Sequence, residues 1–235
     1  MENLNGEILN LKMMKNDSDL IKSYLNQQQD LYGDSLYIAP KVFENSEVIV
    51  EEGGNDLTAF YHLIKDCLQC DLGNSRKNFV FGVGNPEADI VFVGEAPGKN
   101  EDVQGEPFVG RAGKLLNDIL TAIELSRDDV FILNVLKCRP PQNREPLPSE
   151  IEECEPFLKK QLEIIKPKLI VALGRIAGNT LLRTEETLGN LRNEIHKYEG
   201  IDLVVTYHPS ALLRNPQLKR PTWEDFKMIS NNYLN

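Results

Sequence analysis

Val91-Phe92-Val93-Gly94-Glu95-Ala96-Pro97-Gly98, continued by Lys99-Asn100-Glu101-Asp102 and closed by Pro107-Phe108-Val109-Gly110-Arg111-Ala112-Gly113, is the stretch that decides the fold. It opens with a short apolar run, Ile90 to Val93, bounded by Asp89 and Gly94. A run this short and this apolar predicts a strand buried on both faces of a parallel sheet. Gly94, Pro97 and Gly98 then break the chain into a loop that carries Glu95, Glu101, Asp102 and Phe108. Leu115, Leu116, Ile119, Leu120 and Ile123 follow at helical spacing, so a helix is predicted from Arg111. Ligands of open α/β sheets bind at the carboxyl ends of the strands, which makes this acidic, aromatic loop a candidate site. Neither the P-loop nor the dinucleotide glycine fingerprint is present.

The pattern repeats downstream. Val130 to Val135 predicts a second strand, interrupted near its end by Asn134. The basic, proline-stiffened loop Lys137 to Arg144 comes next, then Ser149 with Glu152 as a capping box and a helix to Ile165. Leu169 to Leu173 predicts a third strand and Ile176 to Leu182 a helix. A polar, hairpin-like region spans Thr184 to Gly200. Leu203 to Thr206 predicts a fourth strand ending in Tyr207-His208-Pro209-Ser210, with a last helix near Trp223 to Tyr233. Alternating strands and helices give an α/β fold with a doubly wound, mainly parallel four-stranded sheet. Glu95, Asn134 and His208 then share one sheet edge and converge on one crevice.

Upstream, a helix capped by Asp56 or Thr58 is predicted to reach Cys67, and Asp71 to Val83 to be loop. Residues 1–56 hold four Lys against eleven Asp or Glu, so about −7 of the net charge of −10 sits there. This segment is expected to be a partly disordered acidic extension with one amphipathic helix, Asp19 to Leu31, and a linker at residues 51–55. The folded domain is expected to span residues 57–235. An acidic total argues against a general polyanion binder but leaves room for a locally basic groove. No 18-residue apolar stretch and no signal-peptide pattern occur, so a cytoplasmic protein with no membrane partner is expected.

The only cysteines are Cys67, Cys70, Cys138 and Cys154. A C-x2-C pair with two further cysteines is the number that closes a four-thiolate site. Structural zinc and an iron–sulfur cluster both accept it, and two disulfides or four inert thiols are the other assignments.

Taken together, Gly94-Glu95-Ala96-Pro97-Gly98 with Glu101-Asp102, Pro107 to Gly113, Asn134-Val135-Leu136-Lys137-Cys138-Arg139-Pro140-Pro141 and His208-Pro209-Ser210 resemble the family 4 uracil-DNA glycosylases. The resemblance covers about Leu57 to Arg220. It implies a monofunctional enzyme of base excision repair that flips uracil out of single- or double-stranded DNA and hydrolyses its N-glycosidic bond, leaving an abasic site. It also implies a [4Fe–4S] cluster on the four cysteines, and a monomer is expected. Gly94, Phe108, Asn134 and His208 would bind uracil. Glu95, with Glu101 and Asp102 as second and third choices, would supply the carboxylate, and His208 would face uracil O2. Lys137, Arg139, Arg144, Arg214, Lys219 and Arg220 lie in loops near the predicted crevice, and some of them, with Lys137, Arg139 and Arg214 foremost, are expected to touch backbone phosphates; the Leu212-Leu213-Arg214 run, with Leu213 foremost, suits the wedge that fills the vacated stack. A covalent uracil-trapping relative carries an inserted basic loop that is missing after Pro141, so covalent trapping is not expected.

Overall fold

The computed structural model describes residues 56–234. The expected acidic extension, its helix at Asp19–Leu31 and the linker at residues 51–55 lie outside the described residues. In chain order the elements are α1 (Asp56–Ile64), α2 (Leu72–Ser75), β1 (Val83–Gly84), β2 (Ile90–Gly94), α3 (Lys99–Gln104), α4 (Arg111–Ala122), β3 (Phe131–Asn134), α5 (Pro148–Ile165) and β4 (Leu169–Leu173). There follow α6 (Arg175–Leu182), α7 (Leu188–Leu191), β5 (His196–Tyr198), β6 (Ile201–Thr206), α8 (Pro209–Arg214) and α9 (Lys219–Tyr233).

The strands form one six-stranded mixed sheet in the order β1-β3-β2-β4-β6-β5. The four predicted strands are its parallel centre, with Val91 opposite Phe131 and Ile170, and Ile170 opposite Leu203. The expectation of four strands is therefore corrected. β1 and β5 add antiparallel edges that are only two and three residues long. Both are too short to display an alternating pattern, and so they read as loop and as hairpin.

Every residue of β2, β3 and β4 is buried. Their side chains alternate between two apolar clusters. Val91, Val93, Leu133, Ile170, Ala172 and Val205 pack under α1, α5 and α6 with Leu158 and Leu162. Ile90, Phe92, Ile132, Val171 and Val204 pack against α4 and α9 through Leu116, Leu120, Phe226 and Ile229. Helices on both faces make the fold doubly wound, and burial on both faces is why these strands carry continuous apolar runs rather than alternation.

Other local expectations shift. The chain passes from β2 to β3 on one side and then returns to β4 on the other, which opens a crevice where the strand order reverses. α1 ends at Ile64, before Cys67. Ser149 lies inside α5 rather than at its cap. Leu147 is the N-cap, and the Glu150 carboxylate accepts the Leu147 N–H at 2.8 Å. Glu150 also takes both arms of Arg144, which makes Glu150 and not Glu152 the acidic partner of this helix start.

Candidate active site

Glu95 follows β2, Asn134 ends β3 and His208 follows β6. All three open onto one cleft of about 570 Å³, together with Glu101, Phe108 and Gly98. Gly94 is what lets them close. A Cβ there would stand 2.3 Å from Asn134 Oδ1 and 2.7 Å from the Phe108 ring, so only a bare backbone permits an amide and an aromatic to meet across this strand end. Asn134 is 2% exposed, yet neither end of its amide has a protein partner among the described residues. Its polar atoms open onto the cleft, where a ligand can pair with them.

Phe108 holds a left-handed backbone, φ 54°, which is unusual for a bulky residue. Three contacts fix it. Glu101 Oε1 accepts the N–H groups of Val109 and Gly110 at 3.0 Å each. Arg127 donates to the carbonyls of Pro107 at 2.8 Å and Phe108 at 3.3 Å. Gly113 supports the loop from below, since a Cβ there would strike Phe108 O at 1.6 Å. The ring lies 5.4 Å from that of His208 with 29° between planes.

His208 is oriented by Ser210. The Ser210 backbone N–H donates to His208 Nδ1 at 3.1 Å, and the Ser210 hydroxyl is 2.8 Å from the same nitrogen. Nδ1 is therefore the acceptor, and a neutral ring carries its proton on Nε2. Burial, helped by Arg214 and opposed by Glu101, pushes His208 down to about 4, so the ring is neutral at physiological pH. Burial raises Glu95 above the ordinary carboxylate value. Glu145 raises it further, and Arg175 lowers it. Arg175 and Glu145 also line the cleft, and they pair with each other at 2.9 Å.

Several expected residues take other roles. Asp102 is 3% exposed and accepts the Lys77 N–H at 2.8 Å, away from the cleft, so it is removed as a catalytic carboxylate. Lys137 is fully buried, and its ammonium donates to the Asn134 carbonyl at 2.7 Å, so it is removed as a phosphate contact. A lysine on a basic, proline-rich loop reads as a surface cation, but here the chain turns it beneath the strand end. Burial pulls Lys137 down to about 8, against the pull of Cys154 and Cys138. Arg144 lines the cleft but is bound to Glu150 at 2.6 Å. Arg139 is half-buried and donates to Asn143 at 2.7 Å. Arg214, Lys219 and Arg220 are exposed and carry no ion pair among the described residues. Leu213 is exposed beside the buried Leu212.

Sequence reasoning missed Arg127, Glu145, Arg175 and the Ser210 side chain. It also missed a buried network behind His208, in which Arg192 makes a two-armed pair with Asp225 at 2.7 and 2.9 Å and Asp225 takes the Thr206 hydroxyl. The Arg192 guanidinium lies 4.6 Å from the Tyr207 ring. An Arg 33 residues from its Asp leaves no local signal in the sequence.

On the opposite side of β3 the four thiols line one small pocket with Phe79 and Phe157. Three sulfurs receive N–H donors, from Arg76 to Cys138 at 3.4 Å, from the Lys137 backbone to Cys154 at 3.3 Å and from the Gln69 backbone to Cys67 at 3.5 Å. Burial pushes the Cys138 thiol up and the Cys154 thiol up to about 12, so a bound metal group would have to displace their protons. Among the described residues no three His, Cys, Asp or Glu side chains gather as a ligand set for a metal ion. Four thiols lining one pocket are the number that a four-thiolate site takes, whether zinc or an iron–sulfur cluster.

The sequence profile of the uracil DNA glycosylase superfamily matches residues 81–227. The chain is 47% identical to a type-4 uracil-DNA glycosylase of Archaeoglobus fulgidus, over 71% of this chain and 87% of that protein. It is 44% identical to the one from Pyrobaculum aerophilum, over 74% and 93%, and 46% identical to that of Thermotoga maritima, over 70% and 88%. No helix among the described residues is long and apolar enough to cross a membrane. The chain belongs to the uracil-DNA glycosylase superfamily, in its type-4 branch.

Proposed function

We propose that this chain removes uracil from single- or double-stranded DNA by hydrolysing the C1′–N1 bond, acting as a monomer and leaving an abasic site. The observation that carries the reading is the convergence on the cleft walled by Phe108 of Glu95, Asn134 and His208, whose Glu95 carboxylate, Asn134 amide and His208 Nε2 have no hydrogen-bond partner among the described residues. The target base must leave the duplex, at a cost of a few kcal/mol. Phe108 stacks on it, worth about 1–3 kcal/mol. Asn134 offers an acceptor to N3–H and a donor to O4, a pattern that cytosine inverts.

As the bond breaks, the sugar gains oxocarbenium character and negative charge grows on uracil O2. Neutral His208 donates Nε2–H to that oxygen. Glu95 steadies the cationic sugar and orients water, contributing roughly 10²–10⁴-fold. Its carboxylate, which has no hydrogen-bond partner among the described residues, favours it over Glu101, whose Oε1 already holds the Phe108 loop. Cys67, Cys70, Cys138 and Cys154 would hold a [4Fe–4S] cluster. When bound it supplies a covalent tie between the segment after α1, the loop after β3 and α5.

The test uses two labelled oligonucleotides that differ only in deoxyuridine against thymidine, followed by alkali. Strand scission at uracil alone supports the reading. Equal scission at both bases, or none from protein carrying iron, removes it.

A further inference from the structure

Lys137 is the one cation expected at the DNA surface that the fold hides completely. Its ammonium has no exposure and donates to the Asn134 carbonyl at 2.7 Å. Its backbone N–H points the other way, to Cys154 Sγ at 3.3 Å, and Cys138 is the next residue. Residues 134–138 are buried without a break. This five-residue segment therefore has the base-facing amide at one end and the Cys138 thiol at the other, with Cys154 bonded to it through the Lys137 N–H.

Two features make the segment rigid. Val135 N–H donates to the Gly94 carbonyl at 2.9 Å and Leu136 N–H to the Glu95 carbonyl at 3.0 Å, so β3 stays sewn to β2 past its formal end. The Asn134 carbonyl has passed the last ladder partner, and the lysine side chain caps it. A buried ammonium needs a polar partner. The Asn134 carbonyl is that partner, while the backbone N–H of the same lysine holds it to Cys154.

We propose that Lys137 is a positioning residue that ties the four-cysteine site to base recognition: anchored by its backbone N–H on Cys154 Sγ, it fixes the Asn134 carbonyl with its side chain and so aims the Asn134 amide at the flipped base. The inference rests on the reading of Asn134 as the uracil-pairing residue.

The experiment compares wild type and Lys137→Met, both carrying iron, for binding of free uracil and of an oligonucleotide with a tetrahydrofuran abasic site. Methionine keeps the volume and removes the charge and donor. Free-uracil affinity is expected to fall about tenfold, ~1.4 kcal/mol, while abasic-DNA affinity stays within twofold. Unchanged uracil affinity overturns the proposal, as does a parallel loss of both affinities. If the wild type itself binds no free uracil, the functional reading fails and takes this one with it.

A second measurement needs no variant. Amine acetylation of the native protein, read by peptide mass spectrometry, should leave Lys137 unmodified with or without DNA and label Lys219. Labelling of Lys137 that DNA suppresses would make it a phosphate contact instead.

Discussion

His208 Nδ1 accepts the backbone N–H of Ser210, two residues on, and this fixes which edge of the ring meets the substrate. A protonated Nδ1 would lose that bond, so the arrangement and burial both favour the neutral ring. His208 therefore stays neutral at any pH above about 4. Glu95 behaves oppositely. It acts ionised, and its value is raised by burial and by Glu145. Single-turnover uracil release should fall as pH drops through a point above the ordinary 4.5, with one acid limb that belongs to Glu95. Glu95→Gln should slow release roughly 10²–10⁴-fold and flatten that limb. Glu145→Gln should move the limb to lower pH, because a negative neighbour is removed. A limb that stays in place in the Glu145 variant would dissociate the two carboxylates.

Glu101 has the opposite character to Glu95, although both line the cleft. Its Oε1 is occupied by Val109 and Gly110, so a neutral oxygen serves nearly as well as a charged one. Glu101→Gln is expected to keep most of the activity. Glu101→Ala leaves two N–H groups without their acceptor, at about 1–3 kcal/mol, and frees the left-handed turn at Phe108. Its rate should drop at least tenfold below that of the Gln variant. Equal losses in the two variants would mean that the charge itself matters, and would return Glu101 to the chemistry.

Leu212 and Leu213 are neighbours with opposite burial, 2% and 36% exposed. Truncating Leu212 opens the core, at about 2–5 kcal/mol, and should lower the melting temperature. Leu213→Ala should leave melting unchanged and slow uracil release from duplex DNA, where a wedge holds the gap open. Release from single strands, which have no stack to refill, should be nearly unaffected. An equal slowing on both substrates would argue against a wedge.

What the sequence disclosed, and what it hid, follows from the range of the interactions. The parallel centre was legible because strands buried on both faces need unbroken apolar runs, as in Ile90–Val93 and Leu169–Leu173. The strand-end residues were legible because Glu95, Asn134 and His208 interrupt or end such runs with chemistry that burial does not explain. β1 and β5 were hidden because two or three residues carry no period. Lys137 was misread because composition shows a basic loop and not which way each side chain turns. Arg127 and Arg192 were hidden because their partners lie 20 and 33 residues away.

The Arg192–Asp225 pair shows how such a hidden contact reaches the site. Asp225 on α9 is fully enclosed, binds both arms of Arg192 and also takes the hydroxyl of Thr206, two residues before His208. Removing one member leaves the other charge buried and alone, a loss of about 3–5 kcal/mol. For a domain of this size Asp225→Asn should lower the melting temperature by roughly 10 °C. The double change Arg192→Met with Asp225→Leu should recover much of that, because an apolar pair of similar volume needs no desolvated charge. Uracil release should not recover with it. Without Asp225 the Thr206 hydroxyl has lost its anchor, and without Arg192 the face of Tyr207 is uncovered, so the strand end that presents His208 is held less firmly. The measurement is thermal unfolding of the three proteins beside their single-turnover rates. A double variant that regains both stability and rate would show that the pair only holds α9 in place.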